Sequence, residues 1–522
     1  MRRGFINGKI WNSTETALLV EDGIISAVGD DAAVKKALDE RDELIDLNGM
    51  LILPGFVDSH MHLLELGYYL SNVRLENCTS LHSLQEILFS KLKDTKEDEW
   101  IVGRGYNEDK FEEHQGPNRA MLDQVSKDIP ISLTRACGHV MSVNTKAMEL
   151  AGIAEDTQVE GGKIDYENGI FEENAINLIH NAWPKPDAQR LEDYILAGAK
   201  YANSCGITTV GSDDFLSVSN DYKEVLDAFE KLSYQQRLNV KVNEQCEFPS
   251  ADDFSQFLDD GYTFDVGNDY FRIGPLKLIL DGSLGAHTAS LSKPYSDIVD
   301  EKGCLLYNDE DAETMVALAS RFNMPTICHA IGDSAVDQAL RILKDYTYEG
   351  NPFHSGLVHC QIMRKDQIDE IIKHQYSCFF QTQFIDYDAS ILKERVGKDR
   401  AAESYPYRTL YEGTLSSNGS DAPVELPSVM KGIQLAVTGE SIRFPGCSMN
   451  PLECLSIEQA VDSYTVKGAQ QLMMDESIGK IQEGYCADFA VLDENPAECS
   501  RGDIAKIKVM MTVSDGRTVF ER

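Results

Sequence analysis

The segment Pro54-Gly55-Phe56-Val57-Asp58-Ser59-His60-Met61-His62 ends an apolar run on two histidines one residue apart. Side chains at i and i+2 of a strand point the same way, about 7 Å apart along the backbone, so His60 and His62 can chelate one ion. Three more candidates close apolar runs further along: His329 in Thr326-Ile327-Cys328-His329-Ala330, His359 in Gly356-Leu357-Val358-His359-Cys360, and Asp421 in Gly419-Ser420-Asp421-Ala422-Pro423. Taken singly, each has a plainer reading. His-x-His can sit on a solvated strand face, His329 and His359 can be hydrogen-bonded core histidines, and Asp421 can be a helix N-cap or turn residue. Together, four imidazoles and a carboxylate at strand ends read as a metal site. That donor mix suits Zn²⁺, with Mn²⁺, Fe²⁺ or Co²⁺ as alternatives.

These residues need a frame that brings distant strand ends to one rim. Apolar runs at residues 55–62, 208–214, 240–245, 273–281, 326–333, 356–361, 377–383 and 415–421 end in polar residues. They alternate with segments of helical periodicity, such as 310–322, 335–344 and 365–373. Eight strands in βα alternation predict a (β/α)₈ barrel of the α/β class, whose chemistry sits at the C-terminal strand ends. The barrel is assigned to residues 56–475. Within the long gap between the first two strands, residues 98–190 are read as an inserted subdomain. Both chain ends have another texture: short β-type runs with Asn7-Gly8, Asp22-Gly23 and Asp515-Gly516 between them, dipeptides that favour two-residue hairpins. Residues 1–55 and 476–522 are each too small to bury a sheet face alone, so they are expected to pack together.

Composition narrows the function. The chain has 522 residues with 48 Lys+Arg against 86 Asp+Glu, a formal net charge of −38. That balance argues against a nucleic-acid backbone or an anionic membrane surface as partner. No apolar stretch approaches a bilayer span. Asn7, Lys9 and Asn12 interrupt what would be the apolar segment of a signal peptide. The twelve cysteines stand singly without a Cys-x-x-Cys pair, which reads as thiols in a reducing compartment, the cytoplasm. A homo-oligomer is compatible with the sequence.

Over nearly its whole length the chain resembles the amidohydrolase superfamily, most closely the branch called amidohydrolase family 3 that includes N-substituted formamide deformylases. The resemblance is carried by Pro54 to His62, by Gly138-His139-Val140-Met141-Ser142-Val143-Asn144, by Asp281-Gly282-Ser283-Leu284-Gly285, by His329-Ala330-Ile331-Gly332-Asp333, and by Ser420-Asp421-Ala422-Pro423. It implies that the two chain ends form a composite β-sandwich beside the barrel. It also points to Lys277, where many superfamily members carry a lysine carbamylated by CO₂ that bridges two ions. Unmodified, Lys277 would be a strand-end lysine paired with a carboxylate such as Asp281, and one ion on the histidines and Asp421 would suffice. Gly103-Arg104-Gly105-Tyr106-Asn107-Glu108 is similar to a stretch that lines the family's substrate pocket, with Tyr106-Asn107 where Trp-Asp is commoner. His287 stands where relatives often have Arg.

The implied chemistry is hydrolysis of a carbon–nitrogen bond in a small amide-like molecule, an N-substituted formamide being the nearest named substrate. A bound ion makes hydroxide available near neutral pH. Asp421 then serves as general base and general acid, and His359 or His139 supplies a further donor. For His139, a loop residue capping local backbone is the other reading. Gly169-Ile170-Phe171-Glu172-Glu173 and Glu244-Gln245 are candidates to face the cavity, although a solvated charge is the plainer reading of each carboxylate. Two alternatives remain: a hydrolase of cyclic amides or esters on the same machinery, and a non-catalytic scaffold, which the presence of every ligand disfavours.

Overall fold

The computed structural model of the chain describes residues 2–96, 99–135, 139–159, 162–219 and 221–522. Eight parallel strands run in consecutive spatial order: β1 (Phe56–Met61), β2 (Ile207–Ser212), β3 (Lys241–Cys246), β4 (Phe271–Ile279), β5 (Thr326–Ala330), β6 (Gly356–His359), β7 (Ser377–Phe380) and β8 (Ser416–Asn418). β1, β2 and β3 are buried at every position, as strands covered on both faces must be. Helices follow the strands where periodicity placed them. Asp309–Arg321 is capped by the Asn308 side chain, and Asp333–Lys344 and Lys365–His374 follow β5 and β6.

The seam between β8 and β1 closes just beyond the last strand. The Asp421 amide donates to the His60 carbonyl at 2.9 Å, and the Ser420 amide donates to Asp58 Oδ1 at 2.9 Å. Gly419 lets the two segments approach, because a Cβ there would stand 2.5 Å from both the nitrogen and the carbonyl oxygen of His60. The barrel is therefore closed by the same residues that carry the candidate ligands.

The chain ends build two further sheets. One is a four-stranded sheet of Ile24–Gly29, Ala17–Glu21, Arg2–Ile6 and Glu43–Asp46. The other orders Lys9–Ile10, Leu51–Pro54, Phe489–Leu492, Val509–Ser514 and Arg517–Glu521, so strands from both termini pair in it. The two sheets share one apolar core that includes Phe5, Ile25, Ile52, Phe489 and Val513. Phe5 and Phe489 meet edge-on at 4.9 Å. Asp22-Gly23 and Asp515-Gly516 each turn a hairpin between antiparallel neighbours. Asn7-Gly8 does not. Its left-handed Asn7 (φ 53°) hands the chain to the second sheet, where Lys9–Ile10 runs parallel to Leu51–Pro54.

Two compact units result. One runs to Leu66 and resumes at Leu191; the other is Gly67–Arg190. The second contains a mixed six-stranded sheet of Gly162–Asp165, Ile170–Glu173, Val140–Val143, Ile131–Arg135, Ile101–Tyr106 and Val73–Arg74. Asp98, Cys137 and Gly138, which entered the sequence reading, lie outside the described residues. Eleven cysteines among the described residues are free thiols, and no described helix is long and apolar enough to cross a membrane.

A buried ion triad fastens the barrel floor to the terminal sheets. Lys241, the first residue of β3, places its Nζ 2.8 Å from Asp488 Oδ2 and 2.8 Å from Asp515 Oδ1, and is 3% exposed. Burial pulls the ammonium down, but the two carboxylates outweigh it and hold Lys241 above its usual range. Removing the cation would leave two carboxylates facing each other in a dry site. Lys241→Met is therefore expected to destabilise the first unit by about 3–5 kcal/mol, read as a lower denaturation midpoint; a midpoint matching the wild type would show that the triad is mechanically idle.

Candidate metal centre

His60 lies near the C-terminal end of β1 and His62 one residue beyond it. Their Nε2 atoms stand 3.3 and 3.2 Å from Asp421 Oδ1, and one donor atom from each of the three residues lies within 4.8 Å of the other two. Asp421 adopts a left-handed backbone (φ 57°) in a turn closed by the Val424 amide on its carbonyl, 2.9 Å.

What faces the centre is set from behind. His60 Nδ1 donates to Gln245 Oε1 at 2.5 Å, and that amide is oriented by its own Nε2 donating to the Ser59 carbonyl at 2.9 Å. His62 Nδ1 donates to the Asp213 carbonyl at 2.5 Å. With both Nδ1–H groups engaged, neutral rings present bare Nε2 lone pairs to a carboxylate oxygen that also only accepts. Three acceptors aimed at one another repel unless a positive charge lies between them. The donor set thus fits a divalent cation, and two imidazoles with a carboxylate are ordinary zinc-type ligands. Protonation behaviour reports the same demand. Burial lowers His62, but Asp421 and Asp213 outweigh it and lift the group to about 10, so a proton takes the position when nothing else does. At His60 burial wins, with Lys277 adding to it, and the group falls below its usual range.

His329 and His359 lie close by on β5 and β6. Their rings are 4.3 Å apart, and the His60 and His359 rings are 5.7 Å apart. His329 Nε2 donates to the Gly282 carbonyl at 3.1 Å, which leaves its Nδ1 to accept from His359 Nε2 at 2.9 Å. His359 Nδ1 is then a bare, buried nitrogen with no hydrogen-bond partner among the described residues. Burial takes His329 down to about 4 and His359 well below its usual range, so both rings are neutral. The left-handed backbone of His359 (φ 79°) marks the point where the chain leaves β6.

Lys277 is buried within β4, and its partner is not Asp281. Its Nζ lies 2.9 Å from Asp213 Oδ2, whereas Asp281 accepts the amides of Ser290, Ile331 and Gly332 at 2.8, 3.0 and 2.8 Å. Three buried N–H groups would otherwise lack acceptors, which is why Asp281 turns away from the lysine. Glu244 is not solvated either. It is fully buried, its Oε1 accepts the Asp214 amide at 3.0 Å, and burial raises it well above its usual range. His139 belongs to the second unit, where it is exposed and its Nδ1 lies 3.0 Å from Glu173 Oε2. His287 bonds Asp297 at 3.0 Å.

The sequence reading missed Asp213, and it placed Gln245 toward the cavity without its role behind His60. Gln245 shares strand parity with Asn243 on β3, but its role depends on reaching past β2 to His60 on β1, 185 residues earlier in the chain. Phe384 was also missed. Its ring stacks on His359 with centroids 5.9 Å apart and planes 12° from parallel.

Comparison with known proteins adds three findings. The model of the amidohydrolase family matches residues 43–520. The Bacillus subtilis (strain 168) protein YtcJ is 30% identical over 99% of this chain and 98% of its own length; an N-substituted formamide deformylase of Arthrobacter pascens is 22% identical over 98% and 96%. The crystal structure of an uncharacterized metal-dependent hydrolase from Pyrococcus furiosus is similar at a TM-score of 0.80 with 27% identity, covering 95% of this chain and 100% of that one.

Because Gln245 fixes which nitrogen of His60 is bare, Gln245→Leu is expected to weaken divalent-ion binding by about 10–100-fold in a competition titration, with the fold intact. Unaltered affinity would mean that the ring holds its orientation without this amide.

Proposed function

The chain belongs to the amidohydrolase family, and from that premise we propose that it hydrolyses a carbon–nitrogen bond in a small amide-like molecule, an N-substituted formamide being the nearest candidate. The observation that carries this reading is the convergence of His60 Nε2, His62 Nε2 and Asp421 Oδ1 with both Nδ1–H groups engaged behind them. These three residues would hold a divalent cation, Zn²⁺ by donor type, with the bare Nδ1 of the adjoining His359 as a further donor atom. When bound, such an ion lowers the pKa of water and polarises a carbonyl.

The reaction converts R–NH–CHO and water to R–NH₃⁺ and formate, the proton of the nascent formic acid ending on the amine. Asp421 accepts the proton that the attacking water loses and returns it to the departing nitrogen as the C–N bond breaks. Burial raises the pKa of Asp421, but hydrogen bonds and charge from His60 and His62 outweigh this and hold the group well below the usual carboxylate range when the imidazoles carry the proton that a bound cation would replace. His359 offers its bare Nδ1 to the same site, and its stacking on Phe384 holds the ring in position. A role for His139 rests on resemblance alone. The free thiols support a reducing location, the cytoplasm.

Two readings of Lys277 compete. The 2.9 Å pair with Asp213 supports an ammonium and a single ion. Its burial among His60, His329 and His359, all of which its charge makes less basic, supports a carbamate, which would turn a cation beside the metal position into an anion and bridge a second ion. Metal content separates them. With a carbamate, wild type binds two equivalents and Lys277→Ala one or fewer; with an ammonium, the wild type binds one.

Asp421→Asn is expected to fold and to lose turnover by a factor of about 10² or more, measured against a panel of formamides, N-acyl amino acids, lactams and esters. Near-normal rates would remove Asp421 from proton transfer, and activity confined to lactams or esters would move the substrate class. Protein that takes up no transition metal and turns over nothing would be a scaffold.

A further inference from the structure

We infer that the substrate carries an uncharged aromatic or extended apolar substituent, laid along an aromatic track of Phe384, Tyr387 and Phe444 that leads outward from His359. This deepens the hydrolase reading and rests on it. The track begins at the half-buried Phe384 stacked on His359. Phe384 precedes the helix Ile385–Glu403 with helical backbone angles, so Tyr387, three residues on, lies on the same face one turn further out. The Tyr387 ring meets Phe444 with centroids 6.2 Å apart, and the two are 43% and 36% exposed. Gly285 adjoins Tyr387 without crowding it: a Cβ there would stand 4.0 Å from the ring. Val424 and Ile442 are exposed as well; Ile442 stands two residues before Phe444, and Val424 is tied to Asp421 through its amide. Scattered exposed apolar side chains need no explanation, but here Phe384 touches His359 of the candidate site, Tyr387 shares its helix face, and Tyr387 meets Phe444.

The track is rigid. The buried Asp386 carboxylate, next to Tyr387, accepts the amides of Ile442 and Arg443, both at 2.8 Å, and pairs with Lys431 at 2.8 Å. Glu425, next to Val424, pairs with Lys431 at 3.2 Å and Arg443 at 3.1 Å. One ionic network therefore pins Tyr387, Val424, Ile442 and Phe444 relative to one another, which lowers the ordering cost of holding a flat apolar group against them. The same network decides the charge of that group. Lys431 and Arg443 are neutralised by Asp386 and Glu425, and Arg395 by Asp297, so the cations beside the track have carboxylate partners already. A substrate carboxylate would have to displace one of them.

The test compares kcat/KM for N-phenethylformamide, N-methylformamide and N-formyl-β-alanine in the metal-loaded wild type, Tyr387→Ala, Phe444→Ala and Tyr387→Phe. Wild type is expected to favour the phenethyl substrate over the other two by tenfold or more. Each alanine variant should cut the phenethyl-to-methyl ratio by about tenfold, mainly through KM, and Tyr387→Phe should restore it, because stacking needs the ring and not the hydroxyl. A preference for the carboxylate substrate, or alanine variants that leave the ratio unchanged, would overturn the inference. If the wild type hydrolyses none of the three, calorimetric binding of N-phenethylacetamide decides separately. Binding weakened about tenfold in Tyr387→Ala keeps the track and refutes the formamide reading; absence of binding refutes the track.

Discussion

Two imidazole nitrogens and a carboxylate oxygen, all acceptors, are aimed at one point, and much of the molecule exists to hold them there against their mutual repulsion. β1 delivers His60 and His62; the segment after β8 delivers Asp421; and the hydrogen bond that brings those segments together runs between the backbones of His60 and Asp421 themselves. Closure of the barrel and assembly of the ligand set are one event. A side chain at Gly419 would pry open the seam and the site together.

Behind the three donors stands a layer that determines their protonation. Asp213 serves twice, its carbonyl taking the Nδ1–H of His62 and its carboxylate pairing with Lys277, while its amide is bonded to the Met61 carbonyl. Buried carboxylates are costly without donors. Asp58, Asp214 and Asp281 have them: Asp58 takes the Ser420 amide, Asp214 takes the Leu64 amide and the Ser212 hydroxyl, and Asp281 takes three amides. Burial still lifts Asp214 to about 7. These groups tie the loops after different strands to one another, so the rim of the barrel is braced by charge as well as by packing.

Apolar runs alternating with helical periodicity made the barrel legible, because each strand is a contiguous apolar run and each candidate ligand lies at or just past the end of one. All eight strand positions and the pairing of His60 with His62 follow from that local pattern. Local pattern fails where a residue's partner comes from another strand. An unmodified Lys277 was expected to pair with a carboxylate such as Asp281 and pairs with the distant Asp213; Glu244 looked solvated and is enclosed; Gln245 was placed toward the cavity, but its bond to His60 spans β2, which no local pattern shows. Asn7-Gly8 has the composition of a hairpin, but the strand after it finds its neighbour at Leu51–Pro54, so tertiary pairing overrode the turn preference. His139 was legible only by resemblance, and its bond to Glu173 is a local one within the second unit.

The five-stranded terminal sheet imposes an order on how the molecule can be made. Leu51–Pro54 emerges early in synthesis, yet its neighbour Phe489–Leu492 and the turn bearing Asp515 are translated near the end. Through nearly all of translation β3 therefore carries an unmatched ammonium at its base, and the strand leading into β1 has an open edge. Such edges invite pairing with other chains. In a nascent chain of this protein that edge stays open until Phe489–Leu492 has been made.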